Sequence, residues 1–301
     1  MRRRDLIAAA LPLTLLRGRS AMAAETMLTR PIPSSGEALP VVGLGTSQVF
    51  DVGAGDEARR PLREVVRLLL DAGGRIIDTS PMYGRAEAVS GDLVAELNAR
   101  PKVFFATKVW TSGKEAGIAQ MRRSAELLRT DAIDLIQIHN PVDWRTHLAT
   151  LRQMKADGRV RYIGLTHYTE SALPELARIL RAEPGIDFVQ CAYSLATRAA
   201  ETALLPVAAE RRVAVIVNRP FEDGDMFRRV RGKALPEWAA ECDCASWAQL
   251  FLKYVFAEPA VTCAIPGTSN PRHIEDDLKA GFGRLPDARQ REQLRRFWDS
   301  L

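Results

Sequence analysis

Four ionisable side chains stand at or near the ends of apolar runs of the sequence. Asp78 and Tyr83 belong to the stretch RIIDTSPMYG, Lys108 lies in FFATKVW, and His139 ends LIQIH. A lysine flanked by apolar residues is costly to bury unless an acid compensates it, and Asp78 can do so because neighbouring strands lie about 5 Å apart. A lysine beside a tyrosine favours the phenolate and lowers the pKa of a phenol from about 10. These residues predict a site in which Tyr83 exchanges a proton and His139 orients a carbonyl oxygen.

The elements that must position these side chains are short apolar runs alternating with amphipathic segments. Continuous hydrophobicity is typical of parallel strands buried on both faces. Segments such as KEAGIAQMRRSAELLRT carry apolar residues at helical spacing. Eight strand and helix units in roughly 260 residues predict an α/β fold, a (β/α)8 barrel. The apolar runs span residues 39–46, 75–80, 102–110, 135–140, 161–168, 188–194, 214–221 and 261–267.

Two further features bear on this architecture. The stretch MLTRPIPSSGEALP before the first strand has the turn residues of a hairpin that could cap the barrel bottom. The rival fold is an open doubly wound sheet, but the stretch GLGT at 43–46 lacks the third glycine of a dinucleotide-binding turn. In a barrel, chemistry sits at the carboxyl ends of the strands, so the ionisable side chains are expected to converge there. Each alone has an ordinary structural explanation, whereas three consecutive strand ends favour a functional one.

The N-terminus reads as a targeting segment. Residues 1–23 combine a basic start, an apolar run and the small-residue site Ala21-Met22-Ala23, and Arg3-Arg4 resembles the twin-arginine export pattern. We predict a twin-arginine signal peptide at 1–23, transient contact with the export machinery, and one barrel domain at 24–301 without membrane insertion. The alternative is a misassigned start codon and a cytoplasmic protein. These residues also carry most of the net charge of +5, so the remainder gives no argument for a nucleic-acid partner.

The four cysteines do not predict a disulfide framework or a metal site. Cys191 and Cys263 lie within apolar strand-like runs, where a thiol behaves as a small hydrophobe. Cys242 and Cys244 lack the second pair, or the histidines, that a zinc site needs. We therefore expect all four to be structural.

Six stretches of the chain resemble the aldo-keto reductases in order and spacing over roughly residues 28–298: IIDTSPMYG, FFATKVW, LIQIHN, RVRYIGLTHY, FVQCAYS and AIPGTSNPRHIEDDL. The resemblance implies a (β/α)8 barrel that reduces carbonyls or oxidises alcohols with a nicotinamide cofactor, usually NADPH. It also implies that Asp78, Tyr83, Lys108 and His139 form the catalytic tetrad.

The same resemblance implies a set of cofactor-binding positions. Thr166-His167 stand where the family often has Ser-Asn, and Asn218 replaces a ring-stacking aromatic. Gly267 and His273 stand where a Lys and an Arg often bind the 2′-phosphate. NADP(H) is nevertheless the favoured cofactor, with NAD(H) as the alternative. The implied positions are Gly45, Thr46, Asp78, Thr166, His167, Gln190, Asn218, Arg219, Phe221, Gly267, Thr268, Ser269, His273, Asp276 and Asp277.

The substrate is expected to be a small-molecule carbonyl or alcohol. Phe50, Trp110 and Trp144 follow strand ends and are candidates for the walls of its pocket. Two other functions stay open on the sequence. One is a nucleotide-binding redox sensor with little turnover. The other is a phosphosugar-handling barrel, which the acidic residues after the seventh strand disfavour.

Overall fold

The computed structural model describes residues 26–301, so the predicted signal peptide lies outside the described residues. The first element is an antiparallel hairpin of β1 (Thr29–Pro31) and β2 (Ala38–Pro40). Its side chains Ile32 and Leu39 are fully buried in the apolar cluster inside the barrel. The predicted hairpin is confirmed. The first barrel strand, expected from residue 39, begins later because residues 38–40 pair with β1.

Eight parallel strands follow and pair in chain order. They are β3 (Leu44–Gly45), β4 (Ile76–Asp78), β5 (Phe104–Val109), β6 (Ile133–His139), β7 (Val160–Thr166), β8 (Phe188–Ala192), β9 (Ala214–Asn218) and β10 (Val261–Ala264). Two parallel bridges, Val42 to Ala264 and Gly45 to Gly267, join the first strand region to the last. The sheet therefore closes on itself, and the predicted (β/α)8 barrel is confirmed.

The closure depends on two glycines. A β-carbon on Gly45 would lie 2.8 Å from the carbonyl oxygen of Ile265, and one on Gly267 would lie 3.1 Å from that of Gly45. Both distances are shorter than ordinary van der Waals contact, so side chains here would push the two backbones apart. This close approach gives a structural reason for glycine in GLGT and IPGT.

Helices cover the outside of the barrel, and a continuous apolar core lies between them and the strands. The helices are α1 (Asp56–Asp71), α2 (Ala86–Glu96), α3 (Lys114–Leu127), α4 (Trp144–Ala156), α5 (Leu173–Ala182), α6 (Ala200–Ala203), α7 (Leu205–Arg211), α8 (Asp225–Arg229), α9 (Trp247–Phe256), α10 (Pro271–Lys279) and α11 (Ala288–Asp299). Short 3₁₀ turns occupy Arg100–Lys102, Glu170–Ala172, Glu222–Gly224 and Glu237–Cys242. Between residues 26 and 301, no helix is both long and apolar enough to cross a membrane.

Strand register carries the polar side chains to one end of the barrel. Asp78 is the last residue of β4, and His139 is the last residue of β6, level with Thr166 at the end of β7. Lys108 pairs with Gln137, one residue pair below that end. The four cysteines are all buried and unpaired, as expected of structural thiols.

Candidate active site

A buried ion pair lies at the carboxyl end of the barrel. Lys108 Nζ donates to Oδ1 of Asp78 at 2.7 Å and to the carbonyl oxygen of Thr79 at 2.7 Å. The side chains of Lys108 and Asp78 are only 1% and 3% exposed. Burial by itself lowers the pKa of Lys108, but Asp78 and Tyr83 outweigh it and raise that pKa above its ordinary value. Lys108 is therefore a cation at neutral pH.

Tyr83 and His139 complete the group. Tyr83 lies in the turn after β4, and Lys108 Nζ is 5.0 Å from the centroid of its ring. His139 is buried, and its Nδ1 has no hydrogen-bond partner in the described chain. Burial, with smaller effects of Lys108 and His167, lowers the pKa of His139 to about 4. His139 is consequently neutral near pH 7, where Lys108 is charged.

Amide side chains hold the second oxygen of the Asp78 carboxylate. Gln190 Nε2 donates to Oδ2 of Asp78 at 2.8 Å, and Gln137 Nε2 donates to the same atom at 3.1 Å. The Oε1 atom of Gln190 accepts from Thr166 Oγ1 at 3.0 Å and from Asn218 Nδ2 at 3.3 Å. Residues predicted to hold a cofactor thus form one hydrogen-bonded chain that ends on Asp78.

A cleft of about 1190 Å³ opens above these residues and extends from Tyr83 and His139 to helix α10. This volume exceeds the usual range for a single small ligand, so a long cofactor and a substrate can share it. Buried polar atoms without a partner line its walls, as expected where a polar ligand would satisfy them. These atoms are Nδ1 of His139, Oδ1 of Asn140 and Asn218, and Nε of Arg219.

Most predicted cofactor positions line this cleft. Thr46 is one of them, and its backbone N–H and its hydroxyl both donate to the carbonyl oxygen of Asp78 at 3.0 Å. Lys108, His167 and Ser269 do not line it, and Lys108 lies behind the cleft wall. The predicted cofactor positions that do are Gly45, Thr46, Asp78, Thr166, Gln190, Asn218, Arg219, Phe221, Gly267, Thr268, His273, Asp276 and Asp277.

The far end of the cleft carries more acid than base. Arg219 forms ion pairs with Asp223 at 2.9 Å and with Glu222 at 3.8 Å, so its charge is largely compensated. Asp276 accepts from Gln249 at 2.5 Å. Burial, reinforced by neighbouring Asp276, raises the pKa of Asp277 well above its ordinary value.

Helix α10 begins beside these acids. Asn270 caps the helix by accepting from the backbone N–H of Arg272 at 3.0 Å. Thr268 Oγ1 accepts from the backbone N–H of Asn270 at 3.0 Å and lies 3.5 Å from Nδ1 of His273. The start of helix α10 therefore carries backbone N–H groups and the Thr268 hydroxyl, and a helix N-terminus of this kind favours an anion.

Only one of the three predicted wall residues reaches the cleft. Trp110 lines it, is 45% exposed, and meets the His139 ring edge-on at 6.2 Å. Phe50 and Trp144 need correction, because the first is fully buried and the second is 7% exposed, and both pack in the apolar core. Trp144 begins helix α4, which turns its ring towards the core rather than the rim.

Several residues of the site had no place in the sequence prediction. Met82, Asn140 and Tyr168 line the cleft, and Tyr168 is 47% exposed and stacks on His167 at 5.4 Å. Gln137 lies two residues before His139 in β6, so strand alternation places both on the same face and could have indicated it.

Comparison with known proteins identifies the family. The model of the aldo/keto reductase family matches residues 41–296. The chain belongs to the aldo/keto reductase family. Methylglyoxal reductase YeaE of Escherichia coli is 29% identical over 266 residues, covering 83% of this chain and 89% of the relative. Glyoxal reductase of Bacillus subtilis is 31% identical over 160 residues, covering 52% and 55%.

A solved structure gives the same result. An aldo/keto reductase from Klebsiella pneumoniae, in complex with NADP and acetate, superposes with a TM-score of 0.75 at 25% identity, covering 87% of this chain and 93% of that one. Aldo/keto reductase structures thus include one that contains NADP. Among residues 26–301, no three His, Cys, Asp or Glu side chains are grouped as a metal ion would require.

Proposed function

We propose that this aldo/keto reductase transfers a hydride between a nicotinamide dinucleotide and a small carbonyl or alcohol, with Tyr83 as general acid and base. The observation that carries the proposal is the placement of Lys108 against both Asp78 and the Tyr83 ring at the base of an open cleft. A buried cation beside a phenol is what a proton-donating tyrosine requires.

Each of the four residues has its own role in the proposed reaction. When bound, the reduced nicotinamide supplies a hydride to the carbonyl carbon. Tyr83 donates a proton to the carbonyl oxygen, while Lys108 favours the phenolate that remains and Asp78 holds Lys108 in place. His139 is neutral, so it can direct an N–H at the same oxygen without carrying a charge of its own.

NADP(H) is the cofactor we propose, because one similar structure contains NADP. The start of helix α10, with Ser269 and Arg272, offers donors and one positive charge for a 2′-phosphate. The carboxylates of Asp276 and Asp277 would repel a 2′-phosphate at this position. The raised pKa of Asp277 favours its protonated form, which weakens the repulsion.

The cofactor choice is tested by fluorescence titration with NADPH and NADH. Arg272→Gln should weaken NADPH binding a few-fold, within the roughly 1 kcal/mol of an exposed ion pair, and leave NADH binding unchanged. Tighter binding of NADH by the unmodified protein would overturn the choice of NADP(H).

The reaction is tested by incubating the protein with NADPH and a panel of aldehydes while the reduced-nicotinamide absorbance is followed. Methylglyoxal and glyoxal are natural first substrates, given the names of two relatives. Consumption of NADPH that depends on the carbonyl is expected. Binding of NADPH without turnover of any carbonyl would instead favour a redox sensor.

We also propose that the protein is exported by the twin-arginine route with its cofactor already bound. The support is the sequence of residues 1–23, and the physical reason is that this route carries folded proteins. Cell fractionation followed by mass analysis of released nucleotide tests it. Periplasmic protein that lacks nucleotide and needs added NADPH for activity would contradict it.

A further inference from the structure

Gln137 is a buried amide whose two ends have different environments. It is fully buried on β6, and its Nε2 donates to Oδ2 of Asp78 at 3.1 Å. Its Oε1 has no hydrogen-bond partner anywhere in residues 26–301. An unpaired buried acceptor costs stability, and this cost offsets what the Nε2 bond to Asp78 contributes, so an apolar side chain of the same size should leave the stability of the fold about the same. The contribution of Gln137 to the site is therefore the hydrogen bond that its Nε2 donates to Asp78.

The neighbouring strand makes room for this amide. Gly164 on β7 pairs with Gln137, and a β-carbon on Gly164 would lie 2.9 Å from Cγ of Gln137. On the other side, Gln137 pairs with Lys108 on β5. The amide is therefore fixed between two strands at the level of the catalytic lysine.

Gln137 differs from the other amide that holds Asp78. Gln190 lines the cleft, and its Oε1 accepts hydrogen bonds from Thr166 on β7 and from Asn218 on β9. Because Gln190 is accessible from the cleft, a ligand that binds there can replace these hydrogen bonds. Gln137 does not line the cleft and has no contact for a ligand to replace. When Gln190 turns to a ligand, Gln137 is the donor that continues to hold Oδ2 of Asp78.

We propose that Gln137 is a positioning residue, which keeps the Asp78 carboxylate aligned on Lys108 while Gln190 engages the cofactor. The proposal rests on the proposed function. Gln137 touches neither substrate nor cofactor and acts only through Asp78 and Lys108 on the proton donor, Tyr83.

The test compares Gln137→Leu with a matched variant elsewhere in the barrel, Gln290→Leu. Gln290 is equally buried, but its Nε2 donates to Glu241 at 2.9 Å and its Oε1 accepts from Arg284 at 2.9 Å. We expect Gln137→Leu to keep the urea midpoint of unfolding and to lower kcat about tenfold, equivalent to roughly 1.4 kcal/mol. Its KM and its Kd for NADPH should not change. Gln290→Leu should lower the urea midpoint and keep kcat.

A second variant provides a signature that a packing role would not produce. In Gln137→Glu, the protonated carboxyl can donate to Oδ2 of Asp78, whereas the ionised form repels it. We expect kcat of Gln137→Glu to rise relative to the unmodified protein as the pH is lowered, and kcat of Gln137→Leu to show no such rise.

The outcomes separate this proposal from the proposed function. If the unmodified protein turns over carbonyls and Gln137→Leu keeps its kcat and pH profile, the positioning role is overturned and the reductase assignment stands. If the unmodified protein turns over no carbonyl, both are overturned. A tenfold loss of kcat with an unchanged KM and an intact urea midpoint supports the role.

Discussion

Two ion-paired groups of this barrel differ in their burial and in their surroundings, and of the two only the first borders the cleft. At the carboxyl end, Lys108 binds Asp78 beside the Tyr83 ring. Between helices α6 and α11, Glu201 binds Arg295 through both of its carboxylate oxygens, at 2.6 and 2.8 Å. Both groups pair acid with base, so an ion pair does not by itself mark a functional site.

The difference lies in what surrounds each pair. Oε1 of Glu201 also accepts from the hydroxyls of Tyr193 at 2.6 Å and Tyr254 at 3.0 Å, so the second group is saturated with donors. Its hydrogen bonds from Arg291 and Arg295 hold helix α11 against the barrel. The group around Asp78 borders a cleft lined by unpartnered atoms, which leaves its tyrosine free to meet a ligand.

The largest expected difference between the two groups is the effect on kcat of removing one tyrosine hydroxyl from each. Tyr83→Phe should lower kcat by about 10²- to 10⁴-fold, the usual contribution of a general acid, because no proton reaches the carbonyl oxygen. Tyr254→Phe should lose hydrogen bonds to Glu201 and Arg295 but keep kcat. Steady-state kinetics and NADPH titration measure both. Unimpaired carbonyl reduction by Tyr83→Phe would remove the assignment of Tyr83.

The second prediction concerns the ion pair itself. Lys108→Met leaves Asp78 buried without its cation, so the free energy of unfolding should fall by about 3–5 kcal/mol. Turnover should fall with it. Adding Asp78→Asn should restore much of the stability and none of the turnover, as measured by urea unfolding and kinetics. A double variant that regains turnover would show that the pair is structural, like the one at Glu201.

The sequence predicts the first group far better than the rest of the site. Strand periodicity and the position of polar residues at strand ends are local, so Asp78, Lys108 and His139 could be placed at the barrel mouth from sequence alone. The residues that form the wall of the cleft could not be predicted from sequence alone. Whether an aromatic ring that follows a strand points to the core or to the rim depends on how the next helix packs. Trp110 and Trp144 follow strand ends in the same way, yet only Trp110 reaches the cleft.

The Glu201 group was also beyond prediction. Its members come from α6, α9 and α11 and from the segment after β8, and no spacing in the sequence connects them. Gln137 lay within reach, since it alternates with His139, but its role depends on a clearance at Gly164 that only the pairing of β6 with β7 reveals.

The third prediction sharpens the contrast from the structural side. Glu201→Gln keeps the shape of the side chain but removes the charge that holds Arg295, so the free energy of unfolding should fall by about 1.5–3 kcal/mol. Turnover should stay within twofold. Glu175→Gln is the matched control, because Glu175 pairs with Arg178 at the exposed surface and should change stability by less than about 1 kcal/mol. A loss of kcat in Glu201→Gln would mean that the two groups are coupled.

The fourth prediction concerns the acid sensitivity that buried His139 gives to the stability of the fold. Its pKa is about 4 in the folded protein, mainly because of burial, and near 6.5 when unfolded. The unfolded chain therefore binds the extra proton first, and the free energy of unfolding should fall as the pH drops from about 6.5 to about 4, by up to about 1.4 kcal/mol per pH unit. His167, whose pKa is also lowered by burial, adds to the same slope. Urea unfolding of His139→Gln across this range should show a shallower slope, and an unchanged slope would place the acid sensitivity elsewhere in the chain.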